Sequence, residues 1–231
     1  MYLNLILEED NIMDFDFIKE FTPLFMEAGK LTFRIAAIGI IGAVIVGLIC
    51  SLIRYYKVPV LKRIVGVYIE LSRNTPLIIQ LFFLYFGLPK LGIMLSSESC
   101  AIAGLIFLGG SYMSEAFRSG LEAIADIQIE SGLSIGLTKI QVVRYILMPQ
   151  AITISLPAFL ANIIFLVKET SVFSAVALAD LMYVAKDLIG LYYMTDESLL
   201  MLVVAYAIIL LPISIVFTIT ERKLRYAGFG N

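Results

Sequence analysis

Residues 130–149 of the chain have the sequence ESGLSIGLTKIQVVRYILMP. All but the last five of them fall in a long segment, 115–144, that separates two apolar runs, although a connection between helices needs only ~2–8 residues. Isoleucine and valine recur in and around this segment at intervals near three and four, a spacing that is typical of a helix with one apolar face. The pattern therefore predicts a folded helical element outside the apolar runs.

The composition indicates an integral membrane protein. Of the 231 residues, 60% are hydrophobic and 16% are charged, and the mean hydropathy is +0.95, whereas soluble domains are ~45–50% apolar. The net charge is -2 and the basic residues occur in short clusters, which argues against a nucleic-acid partner. The sequence has no histidine, the commonest general base and metal ligand, so we expect no catalytic residue and no metal site.

Five apolar segments approach the length that a membrane-spanning helix requires, ~17–25 residues. We predict an all-α integral membrane protein whose spans cover about residues 31–54, 66–89, 99–115, 145–167 and 198–220. Aromatic, apolar and charged residues are mixed in Phe15 to Lys30, as in an interfacial helix that lies on the lipid surface. Residues 1–30 are therefore predicted to form an external amino-terminal segment, and residues 31–231 a single transmembrane domain.

Lysine and arginine near the ends of the spans predict the orientation, because they prefer the cytoplasmic side. They follow the first span, precede the fourth and follow the fifth: Arg54, Lys57, Lys62, Arg63, Arg118, Lys139, Arg144, Arg222, Lys223 and Arg225. The amino terminus is therefore predicted to be external and the carboxyl terminus cytoplasmic. A sixth span at Ser171 to Asp187 would reverse the carboxyl end, so we interpret this segment as an external amphipathic or re-entrant helix.

The residues of the opening segment resemble a known loop. Glu130-Ser131-Gly132, Gly136, Ile146 and Met148-Pro149 have the spacing found in permease subunits of bacterial ABC importers, where the pattern is Glu-Ala-Ala, three residues, Gly, nine residues, Ile-x-Leu-Pro. Ser131-Gly132 stands in place of the alanine pair and Met148 in place of the leucine. The spacing agrees at every element, and the substituted residues next to Glu130 are also small.

This resemblance implies the fold of a type I ABC importer permease with a cytoplasmic coupling-helix loop at about 126–146. In the family, two short helices joined at the glycine dock onto the ATPase subunit. Gly136 is expected to take a positive φ at that junction, and Pro149 suits the first turn of the next span. The residues expected to couple to the ATPase are Glu130, Ser131, Gly132, Gly136, Leu137, Ile146 and Pro149.

Two further runs, 68–83 and 161–171, are similar to permeases of the polar amino-acid uptake family, as is Glu221-Arg222-Lys223-Leu224. The candidates that these runs supply for a substrate path or gate are Glu70, Arg73, Thr75, Pro76, Gln80, Asn162, Lys168 and Glu169. Structural roles explain the same residues: a helix start at Pro76, an anchoring i,i+3 pair of Glu70 with Arg73, helix-to-helix hydrogen bonds from Gln80 and Asn162, and a solvated pair at Lys168 and Glu169.

The sequence contains no Gly-x-x-x-x-Gly-Lys-Ser/Thr loop, the usual cradle for nucleotide phosphates. The resemblance therefore implies that ATP and magnesium bind a separate ATPase subunit, with no cofactor in this chain. It also implies an extracytoplasmic amino-acid-binding protein, a second permease subunit, identical or related, and the bacterial cytoplasmic (inner) membrane. Because the uncharged cores of the spans hold no acidic residue, we expect lysine and arginine to be disfavoured as cargo.

Two other functions would suit a membrane protein of this composition. A secondary transporter driven by an ion gradient would show charged relay residues within its spans, or inverted repeats with broken helices. A membrane scaffold could use a permease-like loop only to tether an ATPase. The runs at 68–83 and 161–171 favour the permease, so the function that we predict is ATP-driven import of polar amino acids by a transport subunit that is not itself an enzyme.

Overall fold

The computed structural model describes the backbone of residues 13–228 and the side chains up to Lys223. Residues 1–12 of the predicted external segment, and the side chains of Leu224 and Arg225, lie outside this range. Between residues 13 and 228 the chain forms nine α-helices and no strand. Their bounds are α1 Phe15–Tyr55, α2 Leu61–Arg73, α3 Leu77–Phe82, α4 Ser97–Glu122, α5 Asp126–Ser134, α6 Lys139–Val142, α7 Met148–Glu169, α8 Leu181–Tyr192 and α9 Thr195–Gly228.

Several helices are extended by tighter or wider turns. A π turn, Phe83–Gly87, and a 3-10 turn, Leu88–Leu91, continue α3. A second π turn, Val143–Leu147, joins α6 to α7, and a 3-10 segment, Thr170–Val176, follows α7. With these turns included, α6 and α7 form one continuous helical stretch.

Four helical segments in the described part of the chain are long and apolar enough to cross a membrane. They are Phe15–Tyr55, Ser97–Glu122, Lys139–Val176 and Thr195–Lys223. Each contains one of the predicted spans, 31–54, 99–115, 145–167 and 198–220. The segment Leu77–Leu91 is apolar but shorter, and it covers the second half of the remaining predicted span.

The first helix differs from the prediction at its amino-terminal end. No break separates residues 15–30 from the first span, because α1 runs through both. Asp14 caps its start by accepting hydrogen bonds from two backbone N–H groups of the first turn. Glu27 and Lys30 pair one turn apart at 2.7 Å, and such pairs support a helix rather than end it. The charges that suggested a separate segment are therefore compatible with one long helix.

The second predicted span, 66–89, is not a single helix. Its first part, α2, ends at Arg73, and Pro76 has an extended ψ of 143° and caps the start of α3. A proline lacks the N–H that a continuing helix would use, and it disfavours helical geometry in the residue before it. The side chain of Gln80 bridges the break by donating to the carbonyl oxygens of Ser72 at 3.0 Å and Thr75 at 3.1 Å.

Close packing of α1 on α4 forms the centre of the fold. Glycines on both helices allow it: a Cβ on Gly47 would lie 2.4 Å from the Cβ of Met113 and 3.0 Å from the carbonyl oxygen of Gly110. On the opposite helix, a Cβ on Gly109 would lie 2.7 Å from that of Ala43. The side chains buried in this core come from α1, α3, α4, α7 and the segment after it, and include Ile35, Leu81, Leu105, Leu166 and Phe173.

The segment interpreted as external or re-entrant consists of the 3-10 turn and α8, a helix of 12 residues. Asp180 caps α8 by accepting a hydrogen bond from the N–H of Tyr183 at 2.9 Å. This carboxyl is fully buried, and its second oxygen has no hydrogen-bond partner among the residues that the structure describes. Burial raises the pKa of Asp180 to about 7, so the group carries only part of its negative charge near neutral pH. With only 12 residues, α8 is too short to span a membrane.

The contact between α1 and α4 predicts that Gly47→Val destabilises the folded chain. The new side chain would meet backbone atoms of α4, which cannot move aside without separating the helices, and overpacking costs ~1–3 kcal/mol or more. The matched control is Gly66→Ala, because a Cβ on this helical glycine meets nothing within 4 Å. Thermal denaturation of the detergent-solubilised chain, followed by size-exclusion chromatography, should show a lower midpoint only for Gly47→Val. Equal midpoints for the two variants would contradict the packing argument.

Candidate functional site

A helical hairpin, residues 126–146, projects from the long helices and is called the foot below. Its first helix is α5, which carries Glu130, Ser131 and Gly132. Its second part consists of α6 and most of the following π turn, where Ile146 lies. The foot therefore contains all of the predicted coupling residues except Pro149, which lies in the first turn of α7.

Gly136 ends the first helix of the foot with φ at +89°, which confirms the positive φ expected there. Its N–H donates to the carbonyl of Leu133 at 3.0 Å, and the N–H of Leu137 donates to the carbonyl of Gly132 at 3.2 Å. These two bonds are those of a Schellman motif, in which a left-handed residue closes the end of a helix. The reversal of direction in the foot thus depends on a residue without a Cβ.

Gly132 is the buried residue of α5, and it lies against the second half of the foot. A Cβ at this position would lie 2.7 Å from Cδ1 of Ile146 and 3.1 Å from Cγ2 of Val142. Leu137 is also within van der Waals distance, at 3.8 Å. The structure therefore brings Gly132, Leu137 and Ile146 together, and it gives a packing reason for the smallness of residue 132.

The resemblance implied two separate short helices, but the second half of the foot continues into α7 without a break. Thr138 begins it with a capping box, in which Thr138 and Gln141 each accept a hydrogen bond from the other's backbone N–H. Pro149 cannot donate a helical hydrogen bond, and the π turn that immediately precedes α7 accommodates this within a continuous helix. Movement of the foot is thereby linked directly to α7.

Several apolar side chains of the foot are exposed. They are Ile127 at 64%, Leu133 at 41%, Ile135 at 78%, Ile140 at 80% and Tyr145 at 63%. Glu130 and Ser131 are exposed as well. Exposed apolar side chains concentrated in one short element are typical of a protein interaction surface.

A second feature is a cavity of about 500 Å³ at the break between α2 and α3. Four of the predicted path residues, Arg73, Thr75, Pro76 and Glu169, line it. The other lining residues come from the same break, from α4, from α7 and from the segment after α7: Asn74, Leu77, Ile78, Leu108, Tyr112, Phe165 and Val172.

The charged groups of the cavity come from different helices. The guanidinium of Arg73 lies over the ring of Tyr112, 5.2 Å from its centre, an arrangement that stabilises the cation. Arg73 does not form the i,i+3 pair with Glu70 that the structural alternative offered, because Arg73 is turned towards Tyr112 and Glu70 instead accepts a hydrogen bond from Asn74 at 3.1 Å. Glu169, half-buried at the end of α7, lines the same cavity as Arg73.

The other four predicted path residues do not line this cavity. Gln80 holds the break between α2 and α3, and Asn162 donates to the carbonyl oxygen of Tyr112 at 3.2 Å. For Gln80 and Asn162, the sequence analysis offered such helix-to-helix hydrogen bonds as the alternative to a role in the substrate path. Lys168 and Glu70 are exposed. Neighbours in sequence, Lys168 and Glu169, thus differ in exposure because successive residues of a helix point in different directions.

Sequence reasoning did not identify the aromatic wall of the cavity. Tyr112 and Phe165, whose ring centres are 5.0 Å apart, form this wall. Tyr112 is the one tyrosine within the predicted span 99–115, and a polar-tipped aromatic residue inside an apolar span was the available signal. Neither spacing nor composition could show that it lies opposite Pro76, since the two residues belong to different helices.

Together, the long apolar helices, the projecting foot and the charged cavity define an α-helical membrane transport protein. A family model described as "Binding-protein-dependent transport system inner membrane component" matches residues 37–226. The chain belongs to this family. It is accordingly a multi-pass inner-membrane protein and a transport component rather than an enzyme.

Individual relatives agree with the family. The chain is 33% identical over 217 residues to the probable amino-acid permease protein YxeN of Bacillus subtilis strain 168, covering 93% of this chain and 97% of the relative. It is 39% identical over 160 residues to the probable glutamine ABC transporter permease protein GlnP of the same organism, covering 69% and 73%. Both relatives are described as permeases, as the sequence analysis predicted for this chain.

Solved structures share the fold. The chain superposes on an amino acid ABC transporter crystallised with histidines with a TM-score of 0.85 and 28% identity, covering 91% of this chain and 99% of that one. The MetNI methionine ABC transporter in an inward-facing conformation has a TM-score of 0.71 at 20% identity, covering 89% and 98%. The predicted type I importer permease fold is therefore confirmed.

The geometry of Gly136 predicts that Gly136→Val weakens binding of the ATP-binding subunit that the family implies. A β-branched residue is strained at a positive φ, at a cost of ~1–3 kcal/mol, so the foot should lose its closed end. The matched control is Gly92→Val, because Gly92 has a similar φ of +83° and equal free space but lies outside the foot. Co-purification of a tagged ATPase should fall several-fold for Gly136→Val alone. Equal recovery with both variants would show that the junction is not part of the contact.

Proposed function

We propose that this chain is the permease subunit of an ATP-driven importer for polar amino acids. Its observed foot carries the proposal, because a hairpin closed at Gly136 presents exposed apolar side chains that the other residues described by the structure leave uncovered. A separate ATPase, which binds ATP and magnesium, is the partner expected on that face. Glu130, Ser131, Gly132, Gly136, Leu137, Ile146 and Pro149 are proposed to form or support the contact.

The cavity beside Pro76 is the proposed site for the transported amino acid. An amino acid at neutral pH carries a carboxylate and an ammonium group. In the lining of the cavity, Arg73 offers a positive charge for the carboxylate and Glu169 a negative charge for the ammonium group. Charge-assisted hydrogen bonds to such groups are strong and directional. Thr75 and Asn74 add polar atoms at the break, while Tyr112 and Phe165 supply the apolar wall.

The lining of the cavity also indicates whether the transported amino acid has a neutral or a cationic side chain. The sequence argument against lysine and arginine rested on the absence of acidic residues from the uncharged cores of the spans, but Glu169, at the end of α7, lines the cavity. If Glu169 pairs with the ammonium group that all amino acids share, the lining holds no second carboxylate for a cationic side chain. Neutral polar amino acids remain the proposed cargo, and one curated relative is described as a glutamine permease.

We place the foot and the carboxyl end in the cytoplasm and the amino end outside, since the basic clusters prefer the cytoplasmic side. A binding protein is proposed to deliver the amino acid to the opposite side. Two permease subunits, identical or related, would enclose the path. Closure of the ATPase subunits under the feet would then switch the path between outward and inward openings.

Reconstitution tests the function. The chain is placed in liposomes with a candidate ATPase subunit and a candidate binding protein, and uptake is measured for glutamine, glutamate, arginine and lysine with and without ATP. We expect ATP-dependent uptake, with glutamine taken up faster than arginine or lysine. Uptake that needs no ATP and follows an imposed ion gradient would show a secondary transporter instead. Preferred uptake of lysine or arginine would remove the cargo assignment.

The cavity assignment predicts that Glu169→Gln and Arg73→Gln each reduce the apparent affinity for the amino acid. Loss of a hydrogen bond to a charged group costs ~1.5–3 kcal/mol, or roughly tenfold or more in affinity. Lys168→Gln is the matched control, because this neighbour of Glu169 is exposed and does not line the cavity. The measurement is the concentration dependence of uptake in the same liposomes. If Lys168→Gln has as large an effect as Glu169→Gln, the cavity is not the site.

A further inference from the structure

A chain of ion pairs links the ends of α1 and α4 close to the foot. The Glu115 carboxylate accepts hydrogen bonds from the guanidinium of Arg118, at 2.6 and 3.0 Å, and from that of Arg54. Arg118 also pairs with Glu122 one turn further along α4. Arg54, Glu115 and Arg118 are between 21% and 29% exposed, so the central pairs are shielded from water. These three residues are called the clamp below.

The clamp lies directly beside the base of the foot. Arg54 is in the last turn of α1, and the next residue, Tyr55, packs against an apolar cluster. This cluster contains the ends of α4 and α7 and two side chains of the foot. Its members are Leu121, Ile124, Leu147 and Ala151, with Tyr55, Ile129 and Val143 packed against them. The first helix thus contacts the base of the foot through apolar packing, and the clamp ties it to α4 one turn away.

A second ion pair joins the same two helices at their other ends and provides a comparison. Arg34 of α1 donates to both carboxylate oxygens of Glu98 of α4 at 2.7 and 2.8 Å. The side chains of Arg34 and Glu98 are 56% and 49% exposed. The pair lies far from the foot along both helices. Exposed pairs contribute little to stability. If any ion pair between α1 and α4 were enough to affect transport, removing this one should have an effect; if only a pair beside the foot matters, it should not.

We propose that Arg54, Glu115 and Arg118 are positioning residues that make α1 and α4 move as one body with the foot. This inference rests on the proposed function, in which the ATPase displaces the foot. Without the clamp, displacement would still reach α4 and α7, which continue from the foot along the chain. The glycine packing would still hold the middle of α1 to α4, but the end of α1 next to the foot would be held only by the packing of Tyr55, so part of the movement at that end would be lost.

The charges predict an order of effects within the clamp. Replacing Glu115 leaves two guanidinium groups facing each other in a shielded site, where an uncompensated charge is costly. Replacing Arg54 leaves Glu115 still paired with Arg118, so its effect should be smaller. Glu122→Gln removes only the outer, exposed member, whose side chain is 55% exposed, and should have the least effect.

The test is the number of glutamine molecules imported per ATP hydrolysed by the complete complex in liposomes. For Glu115→Gln we expect this ratio to fall on the order of fivefold or more, the lower range of coupling between distant sites, while hydrolysis continues. Arg54→Met should reduce it less, and Arg54→Lys should restore much of it. Glu98→Gln, which cuts the comparison pair between the same helices, should leave the ratio unchanged. An unchanged ratio for Glu115→Gln, or an equal fall for Glu98→Gln, would overturn the proposal.

A distance measurement keeps the proposal testable even if Glu115→Gln fails to assemble. Spin labels at positions 56 and 123, both exposed near the ends of α1 and α4, report the separation of the two helices. Labelled subunits are diluted with unlabelled ones so that only the distance within one chain is seen, and Cys50 and Cys100 are replaced by alanine. The wild-type distance should be the same without nucleotide and with ATP bound. A change of about 5 Å, one helical turn, would show that the two helices do not move together.

The two proposals fail in different ways. A wild-type complex that imports no amino acid with ATP would remove the proposed function. A wild-type complex that imports glutamine, together with a Glu115→Gln complex whose ratio is normal, would remove the clamp alone.

Discussion

The close contact of α1 with α4 is the constraint on which the rest of the structure depends. Both helices are apolar, and lipid is as apolar as their side chains, so burial of apolar surface gives little reason for helices to associate in a membrane. Association depends instead on van der Waals packing, which becomes strong only when the backbones approach closely. Gly47 faces Met113, and Gly109 faces Ala43, at separations that a side chain would prevent. With this pair in register, α7 packs against α4, and α9 packs against α1 and α7.

Both candidate functional regions begin where this packing ends. The foot follows α4 directly and returns to the core as α7, so its position is determined at both ends by packed helices. The cavity forms because α2 stops at Arg73 and the chain turns at Pro76 against the middle of α4. An unbroken helix from residue 66 to residue 89 would fill that space with side chains and would not turn Arg73 towards Tyr112. Gln80 stabilises the break through its hydrogen bonds to Ser72 and Thr75. It was predicted to line the path, but it instead supports the wall of the cavity.

Much of the foot could be predicted from the sequence, because its determinants are local. The positive φ at Gly136 follows from interactions within a few residues, and the small residue at 132 follows from a contact with Ile146 inside the same hairpin, so the spacing of the loop residues along the chain records both. The same is true of the long apolar helices, whose length and composition are one-dimensional properties. The boundary predicted near residue 30 does not coincide with a helix end, since α1 runs through it. Charged residues mark a change of surroundings, and a helix can pass from one surrounding to another without a break.

The sequence by itself therefore determined the all-helical membrane class, the presence of a helical foot and the family. Only the tertiary structure decided which polar residues share a site. Arg73 could pair with Glu70 on its own helix or stack on Tyr112 of another, and sequence spacing favours the local choice because it contains no information about the second helix. Glu169 and Lys168 were equal candidates until the packing of α7 turned one into the cavity and the other outward. These outcomes depend on contacts between helices distant in sequence, which exist only after the glycine-lined helices have packed.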